Sequence, residues 1–139
     1  MTFEPNSSQL KAQLLVWWII WFAILCGLVV IYFFLGRGPV KPVVVAADLL
    51  RNLSGIVPLF VSIVIRWLVM PRLNDLKQAF PVFIAGLALA EGCGLLGIFL
   101  GGPYRDQLFV LGALAIAQYV PFFAKSYLRP KSEGFIPNN

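Results

Sequence analysis

The stretch LLVWWIIWFAILCGLVVIYFFL, residues 14–35, decides the fold because it contains 22 consecutive residues without a charged side chain. A helix of that length can cross the roughly 30 Å hydrocarbon core of a bilayer. The whole chain of 139 residues is 60% hydrophobic and 12% charged, with a mean hydropathy of +0.85. Soluble domains are only about 45–50% apolar and about 25% charged. The sequence therefore predicts an integral membrane protein.

Three more apolar segments follow, and each is bounded by residues that commonly end helices. We predict four spans, at residues 14–35, 49–70, 80–100 and 108–124. The second stops before Pro71, and the third stops before Gly101, Gly102 and Pro103. No stretch between the spans is long enough for another domain, so residues 1–139 are expected to form a single transmembrane domain. The expected fold is all-α, an integral membrane four-helix bundle.

Basic residues are distributed unequally between the two ends of this predicted bundle. Seven belong to the end that carries both termini: Lys11, Arg66, Arg72, Lys77, Lys125, Arg129 and Lys131. Four belong to the other end: Arg37, Lys41, Arg51 and Arg105. Because cytoplasmic ends carry the excess of lysine and arginine, we expect both termini in the cytoplasm. The net charge of +5 then reflects topology and attraction to anionic lipid headgroups, not nucleic-acid binding.

The residue inventory argues against an enzyme or a cofactor-binding protein. The chain has no histidine, and Cys26 and Cys93 lie in different spans, so no zinc, haem or iron–sulfur ligand set is expected within one chain. The sequence has no glycine-rich phosphate loop after a strand, and no serine or cysteine stands beside a plausible base. A lone acid is a poor catalytic set. We therefore predict no catalytic residue, no metal and no cofactor.

Inserting Glu91 into a membrane is costly because it lies eleven residues after Phe80, the first residue of the predicted third span of 21 residues. An acid near the bilayer centre costs about 2.5–3.5 kcal/mol on insertion scales, and such groups are usually paired or functional. We expect Glu91 to be buried in a helix–helix interface. The candidate partners are Arg66, near the end of the second span, and Gln118 with its neighbour Tyr119 in the fourth. These four residues are the predicted ion-binding or buried polar set.

Small residues recur along the span that carries Glu91. The set is Gly86, Ala90, Gly94, Gly97 and Gly101. Spacing of four between small residues lets two helix backbones approach closely, so this face is predicted to pack against another helix. In the second span, Pro58 removes a backbone donor and should leave the carbonyl of Ser54 without its usual partner. We expect a kink at Pro58.

Stretches within or beside the predicted spans resemble two known families of membrane proteins. FIAGLALAEGCGLLGIFL, residues 83–100, resembles the carboxylate-bearing helix of rotary ATP synthase c subunits, which implies an ion-binding role for Glu91. The preceding helix here has only Gly55 in place of a glycine repeat, and two further spans are present, so no rotor function is carried over. VIRWLVMPRL (64–73), LALAEGCGLLGIFL (87–100) and SYLRPK (126–131) resemble a family of uncharacterised small bacterial four-helix membrane proteins, which implies an architecture and no activity.

Two functions remain open at this point. The first is a non-enzymatic bundle or accessory subunit of a membrane assembly, in which Glu91 joins helices within one chain or across a homo-oligomer or other membrane subunits. The alternative is proton- or cation-coupled transport, in which Glu91 is the protonatable site. Four spans leave little room for a private pathway, so transport would require an oligomer.

Overall fold

The computed structural model describes residues 7–39, 46–74 and 76–127, and these residues form helices and short connections without a strand. Four helical segments are long and apolar enough to cross a membrane: Lys11–Leu35, Leu49–Arg72, Leu76–Leu100 and Gly102–Phe123. The prediction of an all-α chain with four spans is confirmed. The third segment begins at Leu76, four residues before its predicted start, and the fourth begins at Gly102, six residues before its own predicted start.

The helices are numbered here in chain order. They are α1 (Ser7–Leu35), α2 (Ala46–Asn52), α3 (Ile56–Val64), α4 (Leu76–Leu100), α5 (Arg105–Ala117) and α6 (Ala124–Tyr127). A π-helical turn (Ile65–Val69) and a 3-10 turn (Met70–Arg72) extend α3, and 3-10 turns at Gly102–Tyr104 and Pro121–Phe123 flank α5. The second and fourth spans are therefore each assembled from several short helical pieces.

Helix α4 is the centre of the bundle and packs against α5, α3 and α1. Its buried face is rich in glycine and alanine, which brings the α5 backbone close. The contact between Gly97 and Leu108, and that between Gly94 and Gly112, make α5 antiparallel to α4. Trp17 of α1 contacts Phe83 of α4, and Leu28, further along α1, contacts Gly94, further along α4, so these two helices run in the same direction.

The second span is broken near its start. We expected a continuous helix kinked at Pro58, but the break lies at residues 53–55, and Pro58 is the third residue of α3. The proline still explains the position of the break, because it removes the donor that the Ser54 carbonyl would otherwise use. That carbonyl accepts instead from the backbone N–H of Val57 at 3.3 Å. Gly55 passes so close to α4 that an added Cβ would lie 2.9 Å from the Cys93 carbonyl oxygen.

The fourth span is also broken, in this case near its end. Helix α5 stops at Ala117, Val120 is extended (φ −48°, ψ 126°), and Pro121 starts a 3-10 turn. Proline disfavours a helical conformation in the residue before it, which accounts for the break. The N–H of Phe122 bonds to the Val120 carbonyl at 2.8 Å, so the Gln118 carbonyl has no helical donor from that residue.

A set of polar contacts, which we call the polar latch, joins the end of α1 to the start of α5. Tyr32 of α1 stacks on Phe109 of α5 with ring centroids 3.9 Å apart, and its hydroxyl donates to Asp106 at 2.9 Å. Arg105 donates to the same carboxylate at 3.1 Å and to the backbone carbonyl of Gly38 at 2.7 Å. These contacts tie the loop after α1 to the start of α5.

Candidate site around the mid-span carboxyl

Glu91 is the sixteenth of the 25 residues of α4, so it lies near the middle of the span. At 3.6 residues per turn it is rotated about 100° from the buried Ala90. Residues one turn away on the same side, Leu87 and Gly94, are buried, whereas Ala88 is exposed. Glu91 thus stands at the margin of the packed face and is partly exposed. The expectation of a buried glutamate is wrong for the single chain.

The Glu91 carboxyl has no hydrogen bond or ion pair with any of residues 7–39, 46–74 and 76–127. The neighbouring inward positions, Ala90 and Gly94, are occupied by close contacts with Gly112 of α5. This close packing leaves the larger acidic side chain on the lateral surface of the bundle. A carboxyl at mid-span is thereby left without a hydrogen-bond or ion-pair partner among the residues that the structure describes.

Arg66, the first nominated partner, is engaged elsewhere. Its Nε donates to the backbone carbonyl of Gln118 at 2.8 Å, and its guanidinium lies over the Phe123 ring at 4.3 Å. The Gln118 carbonyl is available because the break before Pro121 removes its helical donor. Arg66 therefore joins the end of the second span to the broken end of α5.

Gln118 and Tyr119 are likewise bound away from Glu91. The Trp67 indole N–H donates to Gln118 Oε1 at 3.0 Å, and Gln118 Nε2 is buried without a hydrogen-bond partner among the described residues. The hydroxyl of the fully buried Tyr119 donates to the Ser62 carbonyl at 2.6 Å. Ser62 Oγ in turn donates to the Gly86 carbonyl at 2.9 Å. These bonds form a polar cluster between α3, α4 and the end of α5.

Depth explains why this cluster does not reach Glu91. Ser62 is level with Gly86, since they are hydrogen-bonded across antiparallel helices. Arg66 is four residues beyond Ser62 in one direction, and Glu91 is five residues beyond Gly86 in the other. Nine residues of helix correspond to about 13 Å along the bundle. The structure brings Arg66, Gln118 and Tyr119 together and leaves Glu91 apart from them.

The five small residues singled out in α4 and after it are all buried: Gly86, Ala90, Gly94, Gly97 and Gly101. They are used inside the chain. A Cβ added at Gly94 would lie 2.7 Å from Leu28 Cδ1, and one added at Gly97 would lie 2.5 Å from Leu108 Cβ. At Gly86 an added Cβ would overlap the Tyr119 hydroxyl. The small-residue face therefore serves contacts with α1 and α5.

A second small-residue surface of α4 was missed by the sequence reasoning. Ala85 and Ala88 are exposed, and Gly92 is partly exposed, with Pro58 Cβ at 4.0 Å from a Cβ added there. The signal was available as the four-residue spacing of Ala88 and Gly92. This spacing is less evident than the longer series of small residues on the buried face, which starts at Gly86 and ends at Gly101. We call Ala85, Ala88 and Gly92 the outer small face, and it adjoins Glu91 on the outside of the bundle.

No group of three histidine, cysteine, aspartate or glutamate side chains within the described ranges is arranged to hold a metal ion. No protein family, curated protein or solved structure matches the chain. Over the described residues, the fold and the site together define a class: a helical membrane protein with four candidate spans and a mid-span carboxyl, Glu91, that none of these residues pairs with.

Proposed function

We propose that the chain is a non-enzymatic subunit of a membrane assembly and that α4 contacts a helix of another chain through Glu91 and the outer small face. The observation that carries this proposal is the partly exposed Glu91 carboxyl at mid-span, which has no partner among the residues that the structure describes. Leaving such a group against lipid costs about 2.5–3.5 kcal/mol. A partner helix that offers a hydrogen-bond donor or a cation to the carboxyl would remove most of that cost.

The outer small face adjoins Glu91, which supports the proposal that a partner helix packs at this surface. Ala88 is three residues before Glu91, and Gly92 is the residue after it, so both lie within one turn of the carboxyl. Small side chains let a partner backbone come near enough for a side chain or carbonyl to meet Glu91. The inward glycines cannot serve the partner, because α1 and α5 already occupy them.

Substitution of Ala88 by leucine tests this contact without altering the buried face. We expect Ala88→Leu to convert the assembly to a smaller species in mild-detergent extracts analysed by native electrophoresis. Ala23→Leu is the matched control, because Ala23 is an exposed alanine on the lateral surface of α1. The proposal fails if the wild-type chain migrates as a monomer in extracts of its own membrane, or if both variants assemble normally.

Substitution of Glu91 itself separates hydrogen bonding from charge. Glu91→Gln keeps donors and acceptors, so we expect assembly to persist. Glu91→Leu removes them, so we expect assembly to weaken about fivefold to thirtyfold, the range that corresponds to about 1–2 kcal/mol for a membrane hydrogen bond. Loss of assembly in the Gln variant together with normal assembly in the Leu variant would contradict the proposed role.

Proton- or cation-coupled transport is the second candidate, and the same lack of compensation favours it. A carboxyl that no described group of its own chain neutralises could exchange a proton for a cation at an oligomer interface. A hydrophobic carbodiimide should then modify Glu91 in a pH-dependent manner, and proteoliposomes should show proton flux that Glu91→Gln abolishes. Absence of both effects would reject transport and leave the subunit role standing.

We further propose that both termini face the cytoplasm of a bacterium, with the chain in the inner membrane. Five of the basic residues that support this orientation belong to the end where α1 begins: Lys11, Arg66, Arg72, Lys77 and Lys125. Three belong to the opposite end: Arg37, Arg51 and Arg105. Lys41, Arg129 and Lys131 lie outside the described residues. Labelling of Lys125→Cys by an impermeant thiol reagent only after the membrane is opened would support this orientation, and labelling of intact cells would reverse it.

A further inference from the structure

A groove of about 310 Å³ lies between the beginnings of α1 and α4. It is lined by Gln13, Val16, Trp17, Leu76, Lys77 and Phe80. Because α1 and α4 run in the same direction, the lining residues of both helices belong to the same end of the bundle. The groove is far from Glu91, and the proposed function makes no use of it.

The apolar part of the groove is lined by Trp17, whose ring is held in place by close packing against other aromatic rings. Trp17 is only 2% exposed, and its ring lies 4.4 Å from that of Phe83 and 5.5 Å from that of Phe80. Val16, which is 45% exposed, forms the outer lip. This wall presents fixed apolar surface to anything that enters from the side of the bundle.

The polar part of the groove lies at its outer end. Gln13 is one turn before Trp17 on α1, and the exposed Lys77 is the second residue of α4. The groove thus passes from apolar to polar over about one helical turn, as a bilayer does between its acyl chains and its headgroups. A volume of about 310 Å³ is at the lower limit of ligand pockets, which suits part of one acyl chain.

Among the side chains whose burial the structure describes, those at this end of the bundle carry a net positive charge. Its exposed basic side chains include Lys11, Arg72, Lys77 and Lys125. The acidic side chains whose burial the structure describes are Glu91, at mid-span, and Asp106, at the opposite end. Basic residues near the membrane surface attract anionic lipids, with about 1 kcal/mol for each lysine or arginine.

We propose that this groove binds one anionic phospholipid, with an acyl chain against Val16, Trp17 and Phe80 and the phosphate near Lys77. A zwitterionic lipid would fill the apolar part equally well but would gain less from the basic end. The site therefore selects the lipid by its headgroup charge and holds it by its chain.

Native mass spectrometry of the purified full chain, titrated with phosphatidylglycerol or phosphatidylcholine, tests this site. We expect about fivefold tighter binding of phosphatidylglycerol, the factor to which about 1 kcal/mol corresponds. Val16→Trp fills the groove without changing charge, so the first phosphatidylglycerol adduct should be lost. Val30→Trp is the matched control, because Val30 is an exposed valine of α1 outside the groove, and it should bind as the wild type does.

Lys77→Ala tests the headgroup contact. It should lower phosphatidylglycerol affinity about fivefold and phosphatidylcholine affinity by less, whereas Lys125→Ala, at the same end but outside the groove, should lower phosphatidylglycerol affinity by less than Lys77→Ala does. Normal lipid binding by Val16→Trp would overturn the site. Equal wild-type affinities for the two lipids would overturn its selectivity. These lipid measurements are independent of the assembly of the Ala88 and Glu91 variants. Failure of the lipid site can therefore be distinguished from failure of the proposed function.

Discussion

Gly112 offers a sharp test of how α4 and α5 are held together. A Cβ added at Gly112 would lie 2.7 Å from the backbone nitrogen of Gly94 and 2.8 Å from its Cα. Both are backbone atoms, so no change of side-chain rotamer relieves the overlap. Gly112→Ala must therefore move the two helices apart, and that movement loosens the most closely packed pair in the bundle.

The size of the effect follows from comparison with a second glycine. Overpacking a close-packed core costs about 1–3 kcal/mol. Replacing glycine by alanine within a helix also contributes a gain of up to about 1 kcal/mol. Gly27 of α1 has no atom within 4 Å of an added Cβ, so Gly27→Ala receives only the gain. Because the helix-propensity gain is common to both variants, we expect Gly112→Ala to be less stable than Gly27→Ala by about 1–3 kcal/mol.

The free energy of unfolding of both variants can be measured by steric trapping in bicelles, with the wild-type chain beside them. Gly27→Ala should equal or exceed the wild type, and Gly112→Ala should fall below it. If Gly112→Ala is as stable as Gly27→Ala, the backbones of α4 and α5 are not in the close contact described here.

Three further substitutions test the polar contacts by the same measurement. Arg66→Lys should cost about 1–2 kcal/mol, because it loses the Nε donor to the broken end of α5, whereas Arg72→Lys on the exposed surface should be neutral within about 0.5 kcal/mol. Tyr119→Phe removes a buried hydroxyl donor and should cost about 0.6–1.5 kcal/mol, and no loss would refute that bond. Tyr32→Phe should cost less than about 1 kcal/mol, since its ring still stacks on Phe109, and a larger loss would mean that the latch depends on the hydroxyl.

The spans follow from composition because a long apolar run has few alternatives to crossing the membrane. The third span begins four residues before the predicted start, because Lys77 and Gln78 are polar but compatible with a helix. The breaks at residues 53–55 and after Ala117 depend on prolines that the sequence displays. Their positions depend also on where the chain touches α4, and that contact is tertiary.

The surroundings of Glu91 could not be read from the sequence for a related reason. Periodicity identifies the small face of α4, but it does not say whether α1 and α5 of the same chain or a second chain will occupy it. The close contact of Gly112 with Gly94 and Ala90 fixes the rotation of α4 about its axis. In that rotation Glu91 lies at the edge of the packed face. The engagement of Arg66 by the Gln118 carbonyl arises from a helix break that no local pattern couples to the second span.

The most direct test of the central claim is photo-crosslinking in intact membranes. A photoreactive amino acid at Ala88, within one turn of Glu91, should form a crosslink to another polypeptide, either a second copy or a different subunit. The same amino acid at Ala23 of α1 serves as the control and should form none. The account predicts a discrete crosslinked band at Ala88 that weakens in Glu91→Leu and persists in Glu91→Gln. Crosslinking to lipid alone at Ala88, or the same products at both positions, would contradict it.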